Sequence, residues 1–368
     1  MKSMFHKYVA AIAFCSLAGM ANAQNTTLKI TNAAVPALQI SPDAKAGGMG
    51  DVAIGTDADA GSMLYNFSKI VFARKASGVA ATYTPWMKEI ADDMSFTALS
   101  GYHQLSEQEA IGGAVRYFSL GNVDLLDYNG NKVQTNHPNE YTIDFGYARK
   151  LSDQIGIGIQ LRYISSGLLN GAADGVNYKR GNAVAGDISL FYNGLRDSAK
   201  GWTAGISVTN LGNKISYSGN GSEKGFLPAS LNAGFAYRET WEQDHHFLLG
   251  VDVNKSLVPA MPDNNEELPA YYDKSVVNSW FSSFGNNAWQ FGAGAEYNYK
   301  ELLYLRAGYR SQSFTEGHWQ YLTAGLGLRL NDIALNFSYI IPTGDQLTRN
   351  PFVNTVRFGA AFSWGEGK

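Results

Sequence analysis

The sequence predicts an all-β protein, a transmembrane antiparallel up-and-down β-barrel of about 14 strands with an N-terminal plug. Three observations predict this fold: segments of about ten residues in which apolar and polar side chains alternate, aromatic residues at the ends of those segments, and connections that alternate between short and long. The composition agrees with it, because 368 residues include 40 Gly, 21 Tyr and 19 Phe, and outer-membrane barrels carry aromatic girdles.

The alternation is clearest in "IGIGIQLRY", residues 155–163, in "AWQFGAGAEYNY", residues 288–299, and in "VRFGAAFSW", residues 356–364. A strand sends successive side chains to opposite faces. Each segment therefore has one apolar face and one face of polar residues or glycine. A length of about ten residues is what a tilted strand needs to cross a bilayer.

The connections support the membrane barrel over a soluble all-β domain, whose strands would also alternate. They are short near residues 105, 152, 197, 241, 300 and 331, and long at 121–138, 167–182, 212–226 and 257–285. Outer-membrane barrels have tight turns on the periplasmic side and long loops outside. Because backbone groups in lipid must be satisfied internally, such strands close into a barrel.

The first residues predict export. Lys2 and Lys7 precede an apolar run, and Ala21-Asn22-Ala23 is a small-x-small cleavage site, so we interpret residues 1–23 as a cleaved signal peptide. A lipoprotein anchored at Cys15 is disfavoured, because Phe14 occupies the small-residue position before it. Residues 24–76 are then a periplasmic N-terminal segment that plugs the lumen (a hatch), and residues 77–368 are the outer-membrane barrel.

Cleavage after Ala23 also removes Cys15, the only cysteine, so the mature chain can form neither a disulfide nor a thiolate metal site. The chain has 29 Lys and Arg against 32 Asp and Glu. Removing Lys2 and Lys7 leaves 27 bases (29 minus 2) against the same 32 acids. A mild negative charge argues against a nucleic-acid partner, which requires a basic surface.

The stretch "AGGMGDVAIG" contains Gly48-x-Gly50-x-x-Ala53, which matches a dinucleotide-binding fingerprint. That fingerprint requires a preceding strand and a following helix. Prolines interrupt the segment before it, and "GTDADAGS" after it cannot continue a helix. We therefore expect these glycines to let the hatch pack closely against the barrel wall, and we predict no cofactor.

Together with "YTPW" at residues 83–86, "SPDAKAGGMGDVAIG" resembles the N-terminus of the PorV family. These are FadL-like outer-membrane barrels of the type IX secretion system in Bacteroidetes. One departure is visible, because residues 65–69 read Tyr-Asn-Phe-Ser-Lys where the family usually has Trp-Asn-Pro-Ala-Lys. The missing proline loosens that turn and leaves a sister barrel of the same system as an alternative. The hatch residues that carry the resemblance are Asp43, Gly47, Gly48, Gly50, Asp51 and Asn66.

The resemblance implies a role without catalysis or cofactor. Proteins of this family receive cargo carrying a conserved C-terminal signal domain as it leaves a large translocon barrel. They then hand the cargo to the cell-surface attachment complex that contains the sortase. The expected partners are therefore outer-membrane lipid, the translocon barrel, cargo signal domains and the attachment complex. The alternative from the same fold is a FadL-type channel for hydrophobic solutes.

The longest predicted outer connection, 257–285, ends in "DKSVVNSWFSSFG", which predicts a short helix. Asp273 could cap its first turn and Gly285 could end it. Spacing of i, i+3, i+4 and i+7 places four apolar side chains on one helix face. This stripe either folds back over the barrel mouth or docks a partner or cargo, and the tyrosines beside it are typical of interfaces. The candidate contact residues are Tyr271, Tyr272, Val277, Trp280, Phe281 and Phe284.

Trp86, in "TPWMKEIADDM", is expected at the outer rim of the barrel. There it would be either an aromatic-girdle residue or a partner contact.

The polar faces of the predicted strands carry charges of both signs. Internal ion pairs that hold the hatch are the expected use of these charges, and a charged lumen disfavours a channel for hydrophobic solutes. The residues expected to face the lumen are Arg116, Asp144, Arg162, Asp187, Asp252, Glu296, Arg306, Arg310, Arg329 and Arg357.

An enzyme is not predicted, because the chain contains neither GxSxG nor HExxH. Asp57-Ala58-Asp59 resembles the start of a calcium loop but lacks its remaining ligand positions, and His245-His246 are expected to be solvated at a periplasmic turn. A surface lipid hydrolase is therefore the weakest of the three functional hypotheses.

Overall fold

The structure is a computed structural model. It describes residues 33–88, 93–126, 129–168, 171–173, 176–196, 200–218, 224–262, 264–313, 319–343, 352 and 354–367. The predicted signal peptide and residues 24–32 lie outside the described residues.

Fourteen antiparallel strands form a closed barrel, so the predicted fold class is confirmed. Closure is made by β1, which pairs with β2 on one side and with β20 on the other. The barrel strands are β1 (Lys75–Pro85), β2 (Met94–Gln104), β3 (Glu109–Leu120), β6 (Asn139–Lys150), β7 (Ile155–Gly167), β10 (Gly181–Arg196), β11 (Lys200–Gly212), β14 (Ser230–Trp241), β15 (His245–Ser256), β16 (Trp289–Tyr299), β17 (Leu303–Gln312), β18 (Gln320–Leu330), β19 (Ile333–Thr343) and β20 (Val356–Glu366).

The outer wall is apolar and the inner wall is polar, which reverses the arrangement of a soluble protein. In β7, Ile159 is 57% exposed whereas its neighbour on the opposite face, Arg162, is 2% exposed. Exposed tryptophans lie near the ends of the wall at Trp202, Trp241 and Trp364. This exterior fits a hydrocarbon environment flanked by aromatic girdles.

Short turns join the strands at one end of the barrel, and longer connections with their own secondary structure lie at the other end. We call the second end the outer mouth, following the asymmetry of known barrels. Within the described parts of the chain, no helix is long and apolar enough to cross a membrane. The outer connections contain β4 (Val123–Leu126), β5 (Lys132–Asn136), β8 (Gly171–Ala173), β9 (Val176–Tyr178), β12 (Ile215–Ser216), β13 (Lys224–Gly225), α2 (Leu268–Asp273) and α3 (Val276–Ser282).

The hatch, whose described part is residues 33–74, lies inside the barrel. It contains helix α1 (Ala44–Gly47) and three 3₁₀ turns at Pro36–Gln39, Ala60–Leu64 and Phe67–Phe72. Near its start, Ala34 N donates to Phe226 O at 2.9 Å in an outer connection. At its end, the Arg74 guanidinium lies 2.6 Å from the Glu301 carboxylate at a periplasmic turn. The hatch therefore crosses the lumen from the outer mouth to the periplasmic rim.

The hatch, the outer mouth and the candidate contact surfaces

The glycines of the hatch allow its backbone to contact the wall. Gly50 has φ +69°, and a Cβ atom there would lie 2.6 Å from Tyr309 O. A Cβ atom at Gly48 would lie 2.9 Å from the Cα of Gly325. The Thr323 hydroxyl accepts from Gly50 N at 2.9 Å and donates to Gly48 O at 3.1 Å. The loop is thus hydrogen-bonded to β18 itself.

Two of the hatch residues singled out in the sequence fix local geometry. Asp43 caps α1, its carboxylate accepting from Lys45 N at 3.1 Å and Ala46 N at 3.2 Å. Asp51 is bound by side chains from two strands of the wall, β18 and β20. It accepts from the Arg357 guanidinium at 2.5 Å and from the Tyr321 hydroxyl at 2.6 Å.

Asn66 ties the second half of the hatch to its first half and to the wall. Its amide group donates to Ile54 O at 3.1 Å and to Leu190 O at 3.3 Å, and its carbonyl oxygen caps the following 3₁₀ turn by accepting from Ser68 N at 3.2 Å. Phe67 stands where the PorV family usually has proline. Its buried ring lies against a glycine of β3, where a Cβ atom at Gly112 would come within 2.6 Å of it.

Asp252 of β15 binds the hatch backbone through one carboxylate oxygen, which accepts from Ala53 N at 2.7 Å and Ile54 N at 3.0 Å. The adjacent Ala53 carbonyl accepts from the buried Lys69 ammonium at 2.7 Å. Charged side chains therefore satisfy both the N–H groups and the carbonyl group of this hatch turn.

A buried charge cluster, made of Arg116, Asp144, Arg162 and Asp187, lies on the inner wall. Arg162 is its centre, with Nε 2.7 Å from Asp144 Oδ1 and Nη2 2.9 Å from Asp187 Oδ2. Arg116 approaches Asp144 at 3.4 Å. The Arg162 guanidinium also donates to the Asn210 side chain. Asn210 has a left-handed backbone conformation, and it lies where the register between β10 and β11 shifts.

Other charged side chains of the lumen also have polar partners. Glu296 accepts from Arg306 Nε at 2.6 Å, and Arg310 donates to Gln290. Arg329 differs from the others because it lies at the exposed periplasmic rim, 5.6 Å from the Tyr304 ring centroid.

Among the described residues, one lumen cavity lies on the outer side of the hatch and another lies on its periplasmic side. The outer cavity, of about 140 Å³, is lined by polar residues that include Asp187, Asn210, Asp252 and Arg310. The periplasmic cavity, of about 220 Å³, is lined by charges of both signs. Neither lining resembles the mainly hydrophobic walls of a pocket for apolar ligands. The described residues contain no group of three metal-ligating side chains.

Trp86 lies at the outer end of the barrel as expected, but it is not an aromatic-girdle residue, because its side chain points inside the mouth. Trp86 is 4% exposed, and its ring meets Phe118 at 6.1 Å and Phe352 at 5.2 Å, both edge to face. The Trp86 backbone N–H donates to Met94 O at 3.0 Å, which carries the ladder beyond the end of β1. Trp86 therefore belongs to an aromatic cluster inside the outer mouth, which also includes Tyr321.

The loop before β16 forms two short helices where one was expected. Asp273 ends α2 instead of capping the next helix, and the cap of α3 is Ser275, whose hydroxyl accepts from Asn278 N at 3.3 Å. Gly285 closes a 3₁₀ turn that follows α3. Because the backbone of Lys274 is not helical, it separates α2 from α3, and the two tyrosines and the apolar stripe lie on different helices.

Tyr271 is buried and Tyr272 is half-buried. The Tyr271 ring packs edge to face on Phe226 at 5.4 Å, and burial raises the pKa of Tyr271 to about 12. The Tyr272 carbonyl accepts from the Lys214 ammonium at 2.6 Å. In contrast, Val277, Phe281 and Phe284 are exposed and Trp280 is half-buried.

A family model described as "Type IX secretion system protein PorV" matches residues 21–263, more than half of the chain. The chain belongs to the PorV family. It is therefore an outer-membrane component of type IX secretion, and the resemblance of its N-terminal stretch is confirmed. The family is one of secretion components and not of enzymes. No curated protein matches the chain.

Solved structures show the same fold in distant proteins. The Pseudomonas putida toluene transporter TodX superposes with a TM-score of 0.55 at 11% identity, over 93% of this chain and 100% of that one. The Ralstonia pickettii toluene transporter TbuX superposes with a TM-score of 0.52 at 12% identity, over 87% and 97%. At these identities the likeness concerns the barrel fold alone.

Proposed function

We propose that this PorV-family barrel binds the C-terminal signal domains of cargo proteins at the translocon and carries them to the cell-surface attachment complex that contains the sortase. The observation that carries the proposal is the hatch, which crosses the lumen and leaves cavities of about 140 and 220 Å³. A folded domain of 100 residues has a radius of gyration of about 13 Å. Cargo therefore passes elsewhere, and this chain acts through its surfaces.

The outer mouth is the surface that we propose for cargo, because its loops face the side on which cargo appears. Contact of a partner or cargo with Tyr272, Val277, Trp280, Phe281 and Phe284 stays a prediction. Two other candidates from the sequence, Trp86 and Tyr271, are buried. They would contribute by holding the loops of the outer mouth in position. Cleavage after Ala23 and export to the outer membrane by a signal peptide are part of the same proposal.

A channel for hydrophobic solutes is the second candidate, since both solved relatives are described as toluene transporters. The polar lining of the outer cavity and the charges of both signs in the periplasmic cavity argue against it, because pockets for apolar ligands are lined mainly by hydrophobic side chains. This candidate is tested by measuring the uptake of toluene or a long-chain fatty acid by cells with and without the gene. Loss of uptake with normal secretion would favour the channel.

Co-purification from detergent-solubilised membranes tests the main proposal. A tagged copy of the chain is expected to recover a very large barrel and exported proteins that share a C-terminal domain. An equally tagged outer-membrane barrel of unrelated family serves as the control. In a deletion strain, cargo should accumulate inside the cell. Normal cargo display in that strain would contradict the proposal.

A further inference from the structure

Helix α3 and the 3₁₀ turn after it turn two serines toward the protein and three apolar side chains away from it. Ser279 and Ser283 are 0% and 1% exposed, and each hydroxyl donates to a carbonyl of the preceding turn at 2.6 Å. On the other side, Val277, Phe281 and Phe284 are 53%, 71% and 51% exposed. A surface helix in water has the opposite arrangement. We call Val277, Trp280, Phe281 and Phe284 the apolar face of α3.

This segment also lacks charge. Residues 275–289 contain no Asp, Glu, Lys or Arg, although charged side chains are the usual residues of an exposed loop. A helix without charges can enter the boundary between lipid headgroups and acyl chains without losing the hydration of an ion.

The end of the segment is fixed to the lipid-facing side of the wall. Lys255 and Trp289 are paired at the outer ends of β15 and β16, in register with the outward-facing Val251 and Phe291. The Lys255 ammonium donates to Asn286 O at 2.5 Å and lies 5.1 Å from the Trp289 ring centroid. Asn286 follows the helical segment directly, so the apolar face of α3 begins beside the aromatic end of the wall.

We propose that lipid acyl chains of the outer leaflet cover the apolar face of α3. The face continues an apolar surface that lipid already covers, and a short helix with aromatic residues on one side is suited to lie in the membrane interface. Asn278 and Ser282, on the remaining side of the helix, are exposed and uncharged, and they face water. The helix is then a lipid anchor that holds the outer loop over β15 and β16. This inference does not depend on the proposed secretion function, and it is the alternative to the predicted contact of cargo or a partner with the same four residues.

Fluorescence quenching in vesicles tests the inference with the protein alone. The chain without its predicted signal peptide has no cysteine, so Phe281→Cys can be labelled singly with an environment-sensitive fluorophore. The labelled full mature chain is reconstituted into phosphatidylcholine vesicles with or without lipid carrying a spin label near the top of the acyl chain. We expect blue-shifted emission and quenching within about twofold of that at Leu249→Cys, a position in the lipid band.

Two control positions separate lipid contact from simple proximity to the membrane. Asn278→Cys lies on the same helix but on its water-facing side, and Val133→Cys is an exposed apolar position in the β4–β5 hairpin. Both should be quenched several-fold less than Phe281→Cys. If the Phe281→Cys protein does not fold, Val277→Cys replaces it. Quenching at these positions no stronger than at Val133→Cys would overturn the inference.

Cargo is the other candidate to cover the apolar face of α3, and a secretion assay distinguishes cargo from lipid. Phe281→Ser combined with Phe284→Ser should lower quenching of a label at Val277→Cys by at least about twofold in vesicles that contain no cargo. Loss of cargo display, together with a weakly quenched Phe281→Cys label in the first experiment, would assign the face to cargo and refute the lipid anchor. Failure of the secretion proposal itself would leave the vesicle result unchanged.

Discussion

Asp51 in the hatch and Arg357 in β20 form a buried ion pair, with Arg357 Nη1 2.5 Å from Asp51 Oδ1. Arg357 is 0% exposed, and the Tyr321 hydroxyl donates to the other oxygen of the Asp51 carboxylate. A charge buried in this way is costly unless its partner is present. The pair therefore fixes how the hatch is seated in the barrel.

Replacing one partner should destabilise the protein more than replacing both. Arg357→Met leaves the Asp51 carboxylate buried without its cation, and we expect the free energy of unfolding to fall by about 3–5 kcal/mol. Asp51→Asn combined with Arg357→Met should recover a large part of that loss. Urea titration of the protein in vesicles measures both. A double variant no more stable than the single one would contradict this assignment.

Gly50 should not tolerate even a methyl group. Its φ is +69°, and a Cβ atom would meet Tyr309 O at 2.6 Å, so Gly50→Ala both strains the backbone and displaces the hatch from β17. Gly130 is a matched control, because its φ is +82° and nothing lies within 4 Å of its Cβ position. We expect Gly130→Ala to cost about 1 kcal/mol or less and Gly50→Ala clearly more, measured by the same urea titration. Equal losses of unfolding free energy in the two variants would mean that backbone strain alone, and not contact with β17, causes the loss.

The direction of the hatch predicts which of its residues face the cell exterior. Gln39 is exposed and lines the outer cavity, so Gln39→Cys should react with a membrane-impermeant maleimide added to intact cells. Glu107→Cys, in a short turn at the opposite end of the barrel, should react only after the outer membrane is permeabilised. Labelling of Glu107→Cys but not Gln39→Cys in intact cells would reverse the assigned orientation.

Much of the barrel could be predicted from the sequence because lipid imposes a simple rule on each strand. The alternation of Ile159 and Arg162 in β7 is local, and every strand repeats it independently. Trp86 could not be placed this way, because its burial depends on Phe118 and Phe352 from distant parts of the chain. A residue near a strand end has no periodic neighbours that indicate which side of the wall it faces.

The candidate site was predicted in part for the same reason. The inward charges follow the strand period, so Asp144 and Arg162 could be identified, but their pairing depends on the register between β6 and β7. Tyr321 was missed, although it occupies an inward position of β18, because an aromatic side chain there resembles any other residue of an aromatic girdle. Ser275 was missed as the cap of α3, because the two acceptable caps Asp273 and Ser275 are only two residues apart.

The charge cluster makes the last prediction, which concerns Arg162 and Arg116. Arg162→Met removes the contacts to Asp144 and Asp187 at 2.7 and 2.9 Å, so two buried carboxylates lose their main partner. We expect a loss of about 3–5 kcal/mol in unfolding free energy. Arg116→Met removes a 3.4 Å contact to Asp144, which keeps Arg162, and a 3.5 Å hydrogen bond to Leu64 O in the hatch. The expected loss is about 1–3 kcal/mol.

The two variants should also differ in where the barrel loosens. Asn210 N donates to Asp187 Oδ1 at 2.7 Å, at the point where the pairing of β10 and β11 is irregular. Because Arg162 holds the Asp187 carboxylate, Arg162→Met should speed hydrogen exchange at the Asn210 amide, whereas Arg116→Met should leave it protected. Similar exchange at Asn210 in both variants would show that the β10–β11 junction is held by the barrel ladder and not by the Arg162 guanidinium.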